Sequence, residues 1–132
     1  MNVFTPGDHG STFGGNPLAA AVGKAALDIL LDEKLIEHAE KMGKYFQTKL
    51  KAISSPLIQD VRGKGLLIGL EIDKRHSAHN ICLELLKHGV LTKETHQTVI
   101  RLAPPLIIEE AQIDLVVNAL QEVLAAQSAA VV

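Results

Sequence analysis

The chain has 132 residues, of which 47% are hydrophobic and only 3% aromatic, so one domain with an aliphatic core is expected. A formal net charge of -2 gives no basic footprint for nucleic acid, and no apolar run is long enough to span a membrane. The lone Cys82 excludes an internal disulfide framework, and the N-terminus lacks the basic-then-apolar pattern of a signal peptide. A cytoplasmic setting is expected, or a mitochondrial matrix one if the targeting segment lies outside this chain.

Residues 1–15 read as a loop punctuated by Pro6, Gly7 and Gly10. Within it, His9-Gly10-Ser11-Thr12-Phe13-Gly14-Gly15-Asn16-Pro17-Leu18 joins hydroxyl donors, a glycine pair and a helix start. Asn16 suits the N-cap, and Pro17 suits the first helical position, where its missing N–H costs nothing. Free N–H groups and the helix dipole make such a loop a place for an anion, a phosphate above all. On the residues alone, an ordinary Gly-rich turn into a capped helix is the favoured reading. No Gly-Lys-Ser/Thr follows, so this is no Walker loop, and the Rossmann G-x-G-x-x-G is absent.

From Pro17 to about Leu31 the pattern is helical and nearly all apolar, which predicts a well-buried helix. Asp32 is placed to cap a second helix, from about Glu33 to Ile53, with Leu35, Ala39, Met42, Phe46, Leu50 and Ile53 at helical spacing. Leu57–Arg62 and Leu66–Ile72 read as a hairpin around Gly63-Lys64-Gly65, and Leu66, Ile68, Leu70 and Ile72 alternate to make one buried face. A third helix, about Ala78 to His88, turns Ile81, Cys82 and Leu85 inward and stops at Gly89. Strands Val90–Lys93 and Val99–Leu102 follow, Pro104-Pro105 breaks the chain, and Ile113, Val116, Val117, Leu120 and Leu124 define a last helix. The order predicts an α+β fold, with helices on a small, mostly antiparallel sheet.

Arg62 and Lys64 beside the hairpin turn are read as solvated charges. His76 and His79 could share a helical face, but no third ligand is suitably spaced, so a metal site is not expected. His38 and His88 are placed on helix surfaces or ends. Cys82 is expected to be a buried core thiol.

Three runs carry a resemblance. Gly10–Leu18 resembles the signature of the class III PLP-dependent aminotransferases, ornithine type. Val61-Arg62-Gly63-Lys64-Gly65-Leu66 is similar to that family's VRGKGL hairpin. Lys93-Glu94-Thr95-His96, followed by Ile100-Arg101-Leu102-Ala103-Pro104-Pro105-Leu106, resembles its C-terminal end, and this wording favours the ornithine member over the acetylornithine one. The resemblance covers about Phe4 to Leu124. It implies the C-terminal small domain of a fold-type I PLP-dependent aminotransferase, with residues 1–15 as an active-site loop segment and 16–132 as that domain.

The implied reaction moves the δ-amino group of ornithine to 2-oxoglutarate through pyridoxal 5'-phosphate, giving glutamate semialdehyde and glutamate. Thr12, supported by Ser11, would hold the cofactor phosphate of a neighbouring subunit, so a homodimer or larger assembly is implied. Arg101 would grip the α-carboxylate of the oxo acid; its alternative is a surface arginine paired with a nearby glutamate. His9 and His96 fall within the motifs, with no proton-transfer role assigned.

The family's Schiff-base lysine and the acid for the pyridinium nitrogen belong to the large domain, and none of the ten lysines here matches that motif. The chain therefore reads as a piece of the enzyme that is inactive without its large domain. The competing expectations are another class III fragment, a non-catalytic assembly module, and a remnant. Glu109 stands where the family commonly has a serine cap.

Overall fold

The computed structural model describes residue 5 and residues 7–129. It divides into two compact units, residues 1–35 and 36–132. The elements are α1 (Pro17–Asp32), α2 (Leu35–Ala52), β1 (Ile58–Lys64), β2 (Leu67–Ile72), α3 (Ala78–Lys87), β3 (Lys93–Thr95), β4 (Val99–Leu102) and α4 (Glu110–Ala129). Their order is the expected one, and the fold is α+β. Among the described residues, no helix is long and apolar enough to cross a membrane.

In the first unit, Asn16 caps α1 as expected: its Oδ1 accepts the Ala19 N–H at 2.9 Å, and Pro17 opens the helix. The expected burial of α1 is overturned, since none of its residues is buried. Leu18 is 74% exposed and Val22 60%. An apolar face is hidden only by a second element, and this unit contains a single helix. The expected cap role of Asp32 also fails. Asp32 still belongs to α1, Glu33 closes it, and Lys34 turns the chain at φ 51°. A left-handed lysine, not a side-chain cap, separates the two helices.

In the second unit all four strands pair antiparallel, in the order β1-β2-β4-β3. The expected alternation holds, with Ile68, Leu70 and Ile72 of β2 buried together with Leu66 just before it. Ile100 and Leu102 of β4 lie opposite Leu70 and Ile68. This inner face joins Met42, Phe46 and Leu50 of α2, Ile81, Cys82 and Leu85 of α3, and Ile113, Val117, Leu120 and Leu124 of α4 in one core. The helices thus cover one side of the sheet, and the other side carries its polar residues.

Two boundaries move for physical reasons. The hairpin turn is Gly65-Leu66, because Lys64 already pairs with Leu67. The strand expected at Val90 begins only at Lys93. Val90 donates its N–H to Leu85 O, and Gly89, at φ 78°, donates to Leu86 O. These two bonds close α3 in the Schellman pattern and leave Val90 no ladder bond to give. At the start of α4, Gln112 Oε1 accepts the Glu109 N–H at 3.0 Å, which is half of a capping box and compensates for the missing serine.

Polar ties run between α2 and α4. Tyr45 donates its hydroxyl to Asp114 at 2.8 Å, and Lys49 Nζ lies 3.0 Å from the same oxygen. Lys49 and then Tyr45 hold the Asp114 carboxyl below its ordinary value of 3.8. A carboxylate with a lowered folded pKa stabilises the fold above its unfolded value, and that contribution fades as pH falls through the folded one. Asp114→Asn is therefore expected to lower the melting temperature at pH 7 and to flatten its fall below pH 4. Thermal melts followed by circular dichroism across pH 2–7 check this.

A second test concerns backbone contact. Gly43 of α2 lies against the hairpin turn, where an added Cβ would stand 2.1 Å from the Gly65 carbonyl oxygen. That oxygen belongs to backbone and has little room to yield. Gly43→Ala should cost about 3 kcal/mol in urea unfolding, despite alanine's better helix propensity. Gly23→Ala in α1, with open space around its Cβ, should not lower stability.

Candidate functional site

The predicted site residues fall in separate units: Ser11 and Thr12 in the first, Arg101 in the second. In the first unit, the loop before α1 is held by its own polar groups. Ser11 Oγ accepts the Gly14 N–H at 2.9 Å, and Asn16 Nδ2 donates to Phe13 O at 2.6 Å. Accepting that bond leaves the Ser11 hydroxyl hydrogen free to donate elsewhere. Thr12 is exposed on the same loop. Two hydroxyls at the mouth of a capped helix form a donor set that fits a phosphate.

In the second unit, register builds the outer sheet face. Arg62 pairs with Gly69, Gly69 with Arg101, and Arg101 with Lys93, so these four form one row across the sheet. The neighbouring row contains Asp60, Glu71, Val99 and Thr95. Arg101 is exposed, and its carbonyl accepts the Thr92 hydroxyl at 2.6 Å. Among the described residues its guanidinium forms no ion pair, so the alternative of a surface arginine bound to a glutamate is not what the structure contains.

Arg62 is exposed, as a solvated charge should be, but it is also paired. Its two terminal nitrogens reach Asp60 at 2.9 Å and Glu71 at 2.7 Å, and Thr98 donates its hydroxyl to the other Glu71 oxygen at 2.8 Å. Hydrogen bonds from Arg62, then from Thr98, hold the Glu71 carboxyl below its usual range. Sequence reasoning passed over Glu71 and Thr98. The period-two alternation of β2, which puts Gly69 and Glu71 opposite Ile68 and Leu70, was the available signal.

The histidines divide. His38 is half-buried, not a surface residue, and its Nε2 lies 2.9 Å from the Ile108 carbonyl. A carbonyl only accepts, so that nitrogen bears the proton. His79 meets Glu94 at 3.1 Å, and His88 closes α3 near Glu122. His76 precedes the helix that bears His79, so the two share no helical face. Among the described residues no cluster suits a metal ion. His9 lies in the first unit's loop, and His96 turns the chain between β3 and β4 at φ 54°.

An apolar cleft of about 700 Å³ opens beside Phe46, Leu91, Pro105, Ile107 and Leu115. It contains none of the predicted site residues, and its polar side chains are Thr92, Glu109 and Gln112. Cys82 is buried, and desolvation, with Glu94 nearby, pushes its thiol up to about 11. A thiol so protected is no nucleophile at neutral pH. Its reaction with a disulfide reagent at pH 8 should be at least about a hundredfold slower in the folded chain than in urea, because labelling waits on opening of the core. Timed thiol labelling measures the ratio.

A hydroxyl loop at a helix start, and an exposed arginine that forms no ion pair among the described residues, are chemically suited to small anions. Comparison with known proteins narrows this. The Aminotransferase class-III family model matches residues 1–124, and the chain belongs to that family. It is 54% identical over 123 residues to the ornithine aminotransferase of Macrococcus caseolyticus (strain JCSC5402), a match covering 93% of this chain and 30% of that protein.

Among solved structures, an ornithine aminotransferase from Plasmodium yoelii matches with a TM-score of 0.84 at 42% identity, over 93% of this chain and 33% of that one. An acetylornithine aminotransferase from Elizabethkingia anophelis matches with a TM-score of 0.82 at 49% identity, over 96% of this chain and 34% of that one. The chain thus spans about 30% of the length of the curated relative.

Proposed function

We propose that this chain is the C-terminal part of an ornithine-type aminotransferase, which moves the δ-amino group of ornithine to 2-oxoglutarate and yields glutamate semialdehyde and glutamate. The observation that carries the reading is Arg101, exposed and, among the described residues, without an ion-pair partner. Residues 1–15 serve as an active-site segment and 16–132 as the small domain, which works with a large domain in a homodimer or larger assembly.

The cofactor is pyridoxal 5'-phosphate, which when bound acts as an electron sink for the substrate's reacting carbon. Thr12 and Ser11 hold its phosphate for the neighbouring subunit, and their donor chemistry suits that group. Arg101 binds and orients the oxo acid by two parallel hydrogen bonds to its α-carboxylate. The residue that bonds covalently to the cofactor lies outside this chain, so the chain alone is inactive. A second reading, acetylornithine as the amino donor, draws support from the 49% identity to the acetylornithine aminotransferase structure.

Two outcomes are expected. The purified chain mixed with pyridoxal 5'-phosphate, ornithine and 2-oxoglutarate should form no glutamate semialdehyde; product would place the catalytic lysine among the ten present here. Arg101→Gln should weaken 2-oxoglutarate binding to the chain by about tenfold or more, the scale of a lost charge-assisted contact. Calorimetric or NMR titration reads the change, and unchanged affinity sinks the role of Arg101.

A further inference from the structure

Glu71 is the acid that register brings nearest to Arg101 on the outer sheet face. It pairs with Val99, so it lies diagonal to Arg101, and diagonal neighbours on one face are within reach of long side chains. A partly exposed carboxylate in that position is able to pair with the guanidinium unless other groups hold it. Here both Glu71 oxygens are engaged elsewhere, Oε2 by Arg62 at 2.7 Å and Oε1 by Thr98 at 2.8 Å. Arg62 also binds Asp60, so one guanidinium occupies both acids of this face. A Cβ built on Gly69 would lie 3.9 Å from Arg62 Cγ and 4.0 Å from Nε, so the Arg62 stem runs beside Gly69, on the strand next to Arg101.

We propose that Arg62 and Thr98 are positioning residues that hold Glu71 off Arg101 and so keep that guanidinium open for a carboxylate of the oxo-acid substrate. This rests on the role given to Arg101 above. The device fills a specific need, since an arginine that must grip a substrate carboxylate cannot be occupied by a carboxylate of its own sheet. Lys93, directly across from Arg101, adds positive charge to the same row, and Lys64 stands at the end of β1.

The first test needs no ligand. The Nε–Hε signal of Arg101, assigned by its loss in Arg101→Gln, is followed by NMR from pH 7 to pH 3. In the parent chain it should stay still. In Arg62→Gln it should move with the titration of Glu71, and in the double variant Arg62→Gln/Glu71→Gln it should be still again. A still signal in Arg62→Gln, or continued movement in the double variant, overturns the proposal. Should Arg62→Gln not fold, Thr98→Val removes the other hold and should give the same movement with smaller amplitude.

The second test titrates 2-oxoglutarate. Arg62→Gln should weaken binding about threefold, the scale of a competing surface ion pair, and Glu71→Gln in that background should restore it. A loss that Glu71→Gln does not restore marks Arg62 as merely structural and overturns the proposal. Arg101→Gln binding as tightly as the parent overturns the reading of Arg101 itself, a failure the ligand-free titration cannot mimic.

Discussion

The alternation of β2 and β4 governs the second unit. Ile68, Leu70 and Ile72 with Ile100 and Leu102 form the inner sheet face, and three helices bury their apolar sides on it. Because side chains in a strand repeat every two residues, this one choice sends Gly69, Glu71, Val99 and Arg101 to the opposite side. A slip of one residue would bury Arg101 and expose Ile100. The hydrophobic core therefore sets the address of Arg101.

The contact between Gly43 and Gly65 reinforces that address from outside the ladder. It pins α2 to the turn of the β1–β2 hairpin through backbone, which has less play than a side chain. The ties from Tyr45 and Lys49 to Asp114 join α2 to α4 on the wet side of the same layer. The sheet's polar face is thus presented from a support braced along several of its edges.

Much of this is legible in the sequence. The β2 pattern, the Asn16-Pro17 helix start, the Gly89 stop and the helical spacing of α4 each express a local rule, and each holds. What was not legible depends on contacts or on rare backbone. Lys34 breaks the α1–α2 run with a left-handed φ that lysine rarely adopts, so Asp32 looked like a cap. Val90 reads as a strand residue by its side chain, but its N–H closes α3. The burial of α1 depends on a partner element that its own unit lacks. The hold of Arg62 on Glu71 joins residues nine apart through a hairpin whose register had to be seen. The roles proposed for Ser11, Thr12 and Arg101 rest on resemblance to the family, since spacing alone does not assign them.

The sheet's two borders have a consequence for how copies of this chain meet. One border is β1, whose pairing with β2 shifts register between Ile58 and Asp60 and whose exposed residues include Asp60, Arg62 and Lys64. The other is β3, only three residues long and opened by Lys93. Short, charged or irregular borders are poor templates for a further strand. Association by strand addition, the usual route from a small open sheet to fibrils, is thereby discouraged. Apolar side chains exposed along α1, Leu18 and Val22 among them, offer a contact surface that needs no strand addition.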